Sequence, residues 1–152
     1  MELLRKQLGP GDAMLLAPEL QVMASLTSIN LGFNDLGSEG AKALAPAIRD
    51  SASVTSIDVG FNSIGQAASL ELLAAMKGKQ MVRIGMVMCE LGVEGSKVVA
   101  EMISVMASLT SINLGRNEIG SKGAKALAPA IRDSPSLTYL WYKLRTQTQS
   151  PK

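Results

Sequence analysis

The sequence predicts an α/β fold: a right-handed solenoid curved into a horseshoe arc, with a parallel β-sheet on the concave face and helices on the convex face. Two observations predict it. A short strand-like phrase recurs four times, beginning at positions 26, 54, 81 and 109, and each copy is followed by apolar residues at helical spacing. Units this short cannot bury their apolar faces alone, so neighbouring units must stack in a row. Residues 1–152 are therefore predicted to form one domain.

The recurring phrase alternates apolar and polar residues. It reads LTSINLGFNDL at 26–36, VTSIDVGFNSI at 54–64, MVRIGMVMCEL at 81–91 and LTSINLGRNEI at 109–119. Successive side chains of a strand lie on opposite faces. We therefore expect Leu26, Ile29 and Leu31 to point into the core and Thr27 and Ser28 to point outward.

Each phrase has the form L-x-x-L-x-L-x-x-N/C-x-L, the signature of a leucine-rich repeat. With units of about 28 residues and a helical second half, the chain resembles the intracellular ribonuclease-inhibitor-type leucine-rich repeats over residues 8–142. That class also includes Ran GTPase-activating proteins and the sensor regions of NOD-like receptors. The register gives an N-terminal half unit at 8–25, full units starting at 26, 54, 81 and 109, a truncated last unit at 137–144 and a disordered tail at 145–152.

A polar residue follows each strand at the same place. Asn34, Asn62 and Asn117 are expected to form a stacked ladder, because a side-chain amide satisfies backbone groups that would otherwise be buried without partners. Cys89 takes this place in the third unit. A thiol is only a weak donor, so we expect a weaker rung there.

The second half of each unit is predicted to be a helix with one narrow apolar stripe. Ala41, Leu44, Ala45 and Ile48 stand at i, i+3, i+4 and i+7. The equivalent stripes are Ala13, Leu16, Ala17, Leu20; Ser69, Leu72, Leu73, Met76; Ser96, Val99, Ala100, Ile103; and Ala124, Leu127, Ala128, Ile131.

Two features bear on where these helices begin and end. Ser38 and Ser121 are predicted N-caps, because serine hydroxyls accept bonds from the first helical amides. Pro18, Pro46 and Pro129 fall at one repeated position inside the helices. An interior proline costs about 3 kcal/mol, so the pattern predicts a kink, an early helix end or a late helix start.

Composition argues against several classes of protein. The net charge is +2 and no block of basic residues occurs, so we expect no nucleic-acid or membrane partner. No apolar run approaches the ~18 residues that span a bilayer. Cys89 is the only cysteine, which excludes an internal disulfide and fits a cytoplasmic protein.

The residues also argue against catalysis. The chain has no histidine, which removes the usual general base and the commonest metal ligand. Cys89 lacks the histidine partner that thiolate chemistry needs. The sequence therefore predicts no catalytic residue, no metal site and no cofactor.

Binding should then depend on surface positions that differ between units. On the concave strands most residues are small and polar, and the exceptions are Arg83 and Trp141, which are residue types frequent among binding hot spots. Trp141 has an alternative role, sealing the exposed edge of the last unit.

A second column precedes the ladder, with Phe33, Phe61, Met88 and Arg116. If this column is exposed, Phe33 and Phe61 lie side by side, Met88 extends an apolar ridge and Arg116 ends it. The alternative is that the column packs on the neighbouring turn.

These observations predict a non-enzymatic protein-interaction module that binds a partner through its concave sheet and adjoining loops. One alternative, implied by the resemblance, is a GTPase-activating protein similar to the Ran-directed family, with Arg83 or Arg116 as the contributing group. Another is a segment of a longer or engineered array, because residues 22–51 match residues 105–134 at 26 of 30 positions. Self-association through the edge strand 137–142 is a further expectation.

Overall fold

The computed structural model describes residues 1–141, where helices and strands alternate. The helices are α1 (Pro10–Val22), α2 (Gly37–Asp50), α3 (Gly65–Met76), α4 (Gly92–Val105) and α5 (Gly120–Asp133). The strands are β1 (Ser28–Asn30), β2 (Ser56–Asp58), β3 (Arg83–Gly85), β4 (Ser111–Asn113) and β5 (Tyr139–Trp141). Predictions made for residues 142–152 lie outside the described part of the chain.

The strands form one parallel sheet in the order β1-β2-β3-β4-β5. Because every strand pairs with the strand of the next unit, the units stack in sequence order, as in a solenoid. The predicted α/β solenoid is confirmed.

The core lies between the sheet and the row of helices. The central residues of the first four strands, Ile29, Ile57, Ile84 and Ile112, are all buried. The helical stripes meet them from the other side, with Leu44 among the fully buried side chains. Such short strands suffice, because each unit contributes only one layer to a continuous core.

Asparagine side chains join adjacent turns beside this core. The Asn62 amide donates to the carbonyls of Leu31 at 2.8 Å and Val59 at 2.9 Å, and its oxygen accepts from the Leu36 amide at 3.3 Å. Among the described residues, every buried side-chain nitrogen and oxygen has a hydrogen-bond partner.

Cys89 occupies the same place in the third unit with weaker bonds of its own. Its sulfur lies 3.5 Å from the Val87 carbonyl oxygen and 4.0 Å from that of Val59. The Cys89 amide nitrogen donates to the Asn117 side chain at 2.8 Å. The asparagine of the next unit therefore bonds the backbone at this rung.

The first seven residues continue the repeat register on the N-terminal side of the half unit that the sequence predicted at 8–25. The Leu3 amide donates to the Asn30 carbonyl at 2.8 Å, and the Arg5 amide donates to that of Gly32 at 3.1 Å. The repeat register thus includes residues 3–5. The signal in the sequence was Leu3 and Leu8, which precede core leucines of the next unit by one repeat length.

The N-cap prediction for Ser38 and Ser121 is wrong. Helices α2 and α5 begin at Gly37 and Gly120, so their N-cap residues are Leu36 and Ile119, two residues before the predicted serines. The φ angles of Gly37 and Gly120 are 62° and 63°. The chain must leave the core directly into the helix, and glycine adopts this left-handed turn at the lowest cost.

Two of the three alternatives predicted for the prolines, an early helix end and a late helix start, are wrong. Each helix continues for another turn beyond Pro18, Pro46 or Pro129, so none ends early or starts late at that residue. All three prolines are exposed. Proline has no amide hydrogen, so the carbonyl one turn before each proline lacks its helical donor. That carbonyl lies on the solvent side, where water can bond to it.

Within residues 1–141 no helix has both the length and the apolar character needed to cross a membrane.

Candidate functional site

The outward-facing strand residues form two rows across the sheet. The first row is Ser28, Ser56, Arg83, Ser111 and Tyr139, and the second is Asn30, Asp58, Gly85, Asn113 and Trp141. Most of these residues line an open groove of about 330 Å³. This concave groove is the candidate binding surface.

Polar side chains of the second row are held by their own loops. Asn30 accepts a bond from the Gly32 amide at 3.0 Å, Asp58 from that of Gly60 at 2.8 Å, and Asn113 from that of Gly115 at 3.1 Å. Each bond spans two residues and fixes the direction of the side chain. The row is therefore ordered before any partner arrives.

Gly85 makes room for Asp58 in the middle of the groove. A Cβ atom at Gly85 would lie 2.5 Å from the Asp58 carboxyl carbon, so the carboxylate lies against the neighbouring strand. A glycine in a strand often marks such a close approach. The repeat pattern predicts the concave position of Gly85 but not the carboxylate beside it.

Arg83 lies in the first row between Ser56 and Ser111, and its side chain is exposed. It forms no ion pair with any residue in the range 1–141. A guanidinium presents five donors in a rigid fork. Arg83 therefore places in the groove a cation that no residue of the described range pairs with.

Two aromatic residues lie on β5, of which Tyr139 lines the groove. Tyr139 is 50% exposed and Trp141 is 53% exposed. A Cβ atom at Gly115 would lie 2.7 Å from the Trp141 indole nitrogen, so Trp141 lies over Gly115 of the preceding unit. Trp141 therefore covers its neighbouring unit and still presents about half of its surface.

The loops beside the sheet carry a stacked ridge, which we call the Phe33–Phe61 ridge and define as Arg5, Phe33, Phe61 and Arg116. The two rings lie 4.1 Å apart between centroids with an interplanar angle of 16°. The guanidinium carbon of Arg5 lies 4.6 Å from the Phe33 centroid, and that of Arg116 lies 5.7 Å from the Phe61 centroid. Cations over ring faces are favourable, so the structure joins these residues in one ridge.

The backbone of the ridge is held in an unusual conformation. Phe33, Phe61, Met88 and Arg116 have φ between 55° and 58°, and Arg5 has φ of 54°. This left-handed region costs a non-glycine residue about 1–2 kcal/mol. Amide bonds to the next unit offset that cost, such as Phe33 to the Gly60 carbonyl at 2.9 Å.

Phe33, Phe61 and Arg116 were identified from the sequence, whereas Arg5 was missed. The sequence indicated Arg5 only through its position, one repeat length before Phe33. Met88 is 51% exposed in the turn between the units of Phe61 and Arg116. The candidate residues other than Met88 thus fall into two groups, one on the outward face of the sheet and one along the ridge.

Cys89 is buried, and burial together with the nearby Asp58 and Glu90 carboxylates raises the pKa of its thiol to about 12. A thiol with so high a pKa is a poor nucleophile at neutral pH. Within the described residues, no group of three His, Cys, Asp or Glu side chains lies close enough to hold a metal ion.

A family model described as a leucine-rich repeat matches residues 22–45 and 105–128. No curated protein sequence matches the chain. Two solved structures are similar in fold at 13% sequence identity: the leiomodin-1 actin-binding site 2 and the tropomodulin C-terminal domain of Caenorhabditis elegans. The first has a TM-score of 0.73 and the match covers 88% of this chain and 79% of that one. The tropomodulin domain has a TM-score of 0.71, and the match covers 91% of this chain and 84% of that one.

The repeated phrase, the parallel sheet and both kinds of comparison agree, so the protein contains leucine-rich repeats folded as an α/β solenoid.

Proposed function

We propose that the protein is a non-enzymatic interaction module that binds a protein partner through the concave groove and the Phe33–Phe61 ridge. The observation that carries this proposal is Arg83, an exposed cation without an ion pair among the described residues, placed between two serines in an ordered polar groove. Arginine, tyrosine and tryptophan are the residue types that dominate binding energy at protein interfaces, and Tyr139 and Trp141 share the same surface.

The ridge supports the same function. Its stacked rings and their flanking cations are ordered by the cross-unit amide bonds, so binding them orders few additional side chains. Pre-organised contacts gain affinity because less conformational entropy is lost on association. Phe33 remains 43% exposed, which leaves apolar surface for a partner.

Actin is the first partner to test. The leiomodin-1 structure is named as an actin-binding site, and that likeness concerns the fold alone at 13% identity. For this chain the choice of actin is thus a proposal that rests on fold similarity, whereas the proposed surface rests on its own residues.

The experiment compares three variants in sedimentation with actin filaments and in a monomer-binding assay. Arg83→Ala and Trp141→Ala should each weaken binding by about tenfold or more, the equivalent of ~1.4 kcal/mol. Lys97→Ala is the matched control, because Lys97 is an exposed cation on α4 that pairs with Glu94. If actin does not bind, actin is excluded and the same variants are compared for the proteins they retain from a lysate. An identical set of retained proteins for all variants would contradict the proposed surface.

The ribonuclease-inhibitor-type subclass is also part of this proposal. Its support is the unit length of about 28 residues, with a helix in every described unit. No observation favours the GTPase-activating alternative.

A further inference from the structure

The charged residues of the concave groove are divided between its two rows. Arg83 is the charged member of the first row. The charged members of the second row are Asp58 and Glu2, which pairs with Asn30 beside β1. Because the groove carries both signs, net charge gives little attraction, and binding depends on where each charge lies.

The carboxylate of Asp58 lies over β3, the strand that carries Arg83. A Cβ atom at Gly85 would lie 2.5 Å from the carboxyl carbon of Asp58 and 2.5 Å from one of its oxygens. The carboxylate thus occupies the space that a side chain at Gly85 would take. Gly85 and Arg83 are two residues apart on β3, so this carboxylate lies about 7 Å along the strand from the Arg83 position.

The two charges do not neutralise each other. Within residues 1–141, no ion pair includes Arg83 or Asp58. One Asp58 oxygen accepts the Gly60 amide bond at 2.8 Å, which holds the carboxylate in place. Charged groups across an interface are arranged so that opposite signs meet. Arg83 and Asp58 therefore call for a partner group of opposite charge each, and the two partner groups must lie close together.

The fold itself does not need either charge. Serine stands at the place of Arg83 in β1, β2 and β4, and asparagine stands at the place of Asp58 in β1 and β4. Asn30 and Asn113 accept the same loop bond that Asp58 accepts. Arg83→Ser and Asp58→Asn are therefore substitutions that other units of the same solenoid already contain, and each removes a charge with little change in local structure.

An extended polypeptide has the spacing that this arrangement requires. Alternate side chains of an extended chain lie on one face, about 7 Å apart. One acidic and one basic side chain at that spacing reach Arg83 and Asp58 together. A guanidinium binds a carboxylate through two parallel hydrogen bonds. Ser56 and Ser111, on either side of Arg83, add hydroxyl donors for the same carboxylate.

A partner of a single sign fits this surface less well. A run of acidic groups would meet Arg83 but would also face the carboxylates of Asp58 and Glu2. A run of basic groups would meet the carboxylates but would also face Arg83. Like charges opposite each other at an interface are unfavourable, so the groove favours a mixed pair over a run of either sign.

We propose that the concave groove recognises an extended segment of a partner protein in which an acidic and a basic residue stand two positions apart. The acidic side chain binds Arg83, and the basic side chain binds the Asp58 carboxylate over Gly85. This inference rests on the proposed function, because it specifies the chemistry of the partner at the groove.

The test selects binding peptides for the full chain from a phage-displayed library of random peptides. Wild type should enrich peptides in which Asp or Glu stands two positions from Lys or Arg. The enriched peptides are synthesised, and their dissociation constants are measured by fluorescence anisotropy. Arg83→Ser and Asp58→Asn should each weaken binding by about tenfold or more, because each leaves one peptide charge without its partner.

Paired substitutions in protein and peptide assign each contact. Replacing the acidic peptide residue by alanine should weaken binding to wild type but should have no further effect on Arg83→Ser, where that contact is already lost. Replacing the basic peptide residue should behave in the same way with Asp58→Asn. Gly85→Ala is an independent variant, because its Cβ displaces the Asp58 carboxylate, and it should reduce only the contribution of the basic residue.

Lys97→Ala is the control, because it removes an exposed cation of α4, and it should bind as wild type. Circular dichroism and urea unfolding confirm that each variant is folded. The proposal is overturned if no peptide is selected, if the selected peptides lack the charge pair, or if folded Arg83→Ser and Asp58→Asn bind them as wild type does. Peptides that depend on Trp141 but on neither charge would overturn this inference alone and would support the proposed binding function.

Discussion

Asn62 is completely buried, and its side-chain amide bonds the backbone of two adjacent units. Removing it leaves carbonyl and amide groups without partners inside the protein. We predict that Asn62→Ala lowers the free energy of unfolding by about 1–3 kcal/mol. Lys42→Ala, which removes one exposed ion pair, should be nearly neutral. Urea unfolding measures both, and equal losses would contradict the structural role of Asn62.

Cys89 predicts a dependence of stability on pH. Its pKa rises to about 12 in the folded state from an ordinary value of 9.0. Below pH 9 the Cys89 thiol is protonated in both the folded and the unfolded state, so its contribution to the free energy of unfolding is fully present. Between pH 9 and 12 only the unfolded state loses the thiol proton, so the free energy of unfolding should fall by about 1.4 kcal/mol per pH unit.

The measurement for Cys89 is urea unfolding of wild type and Cys89→Ala from pH 7 to pH 11. Lysine and tyrosine side chains titrate in the same range, but they do so in both proteins. The difference between the two slopes therefore isolates the thiol. Parallel slopes would contradict burial of the protonated thiol.

At the scale of elements, α2 and α5 offer a comparison at nearly constant sequence. Ile48 is covered by the following helix, and Ile131 is half-buried because no described helix follows it. Ile48→Ala should cost about 2–5 kcal/mol, the usual range for a buried large-to-small change. Ile131→Ala should cost clearly less, because its side chain is less completely removed from water. Equal losses in urea unfolding would contradict the difference in burial between the two isoleucines.

The whole molecule is a row of units in which stability depends on neighbours. Strand β3 is paired on both sides, by β2 and β4, whereas β5 is paired with β4 and with no other described strand. In such arrays the terminal units open first. We predict that hydrogen exchange is slowest in β3 and faster in β5, measured by mass spectrometry on dilute protein. Uniform protection would indicate that all units unfold together.

Much of this architecture was predictable because the repeat is regular. The phrase at 26–36 and its copies identify strand, turn and core positions, and the spacing brings Phe33 beside Phe61 without any structural knowledge. The N-cap prediction at Ser38 failed because core packing of Leu36 and the left-handed turn at Gly37 determine where that helix begins. Arg5 was missed because residues 1–7 match the repeat only weakly.

By itself the sequence determined the repeat length, the parallel sheet and the alternation of strands and helices, because hydrophobic periodicity acts locally and recurs in every unit. Only the tertiary structure decided which side chains remain exposed or without an ion pair among the described residues. Arg83 lacks an ion pair among its described neighbours, Trp141 lies over Gly115, and Ile131 is less buried than its copy Ile48. These properties depend on which unit lies next to each residue, and identical sequence segments differ in exposure when their neighbours differ.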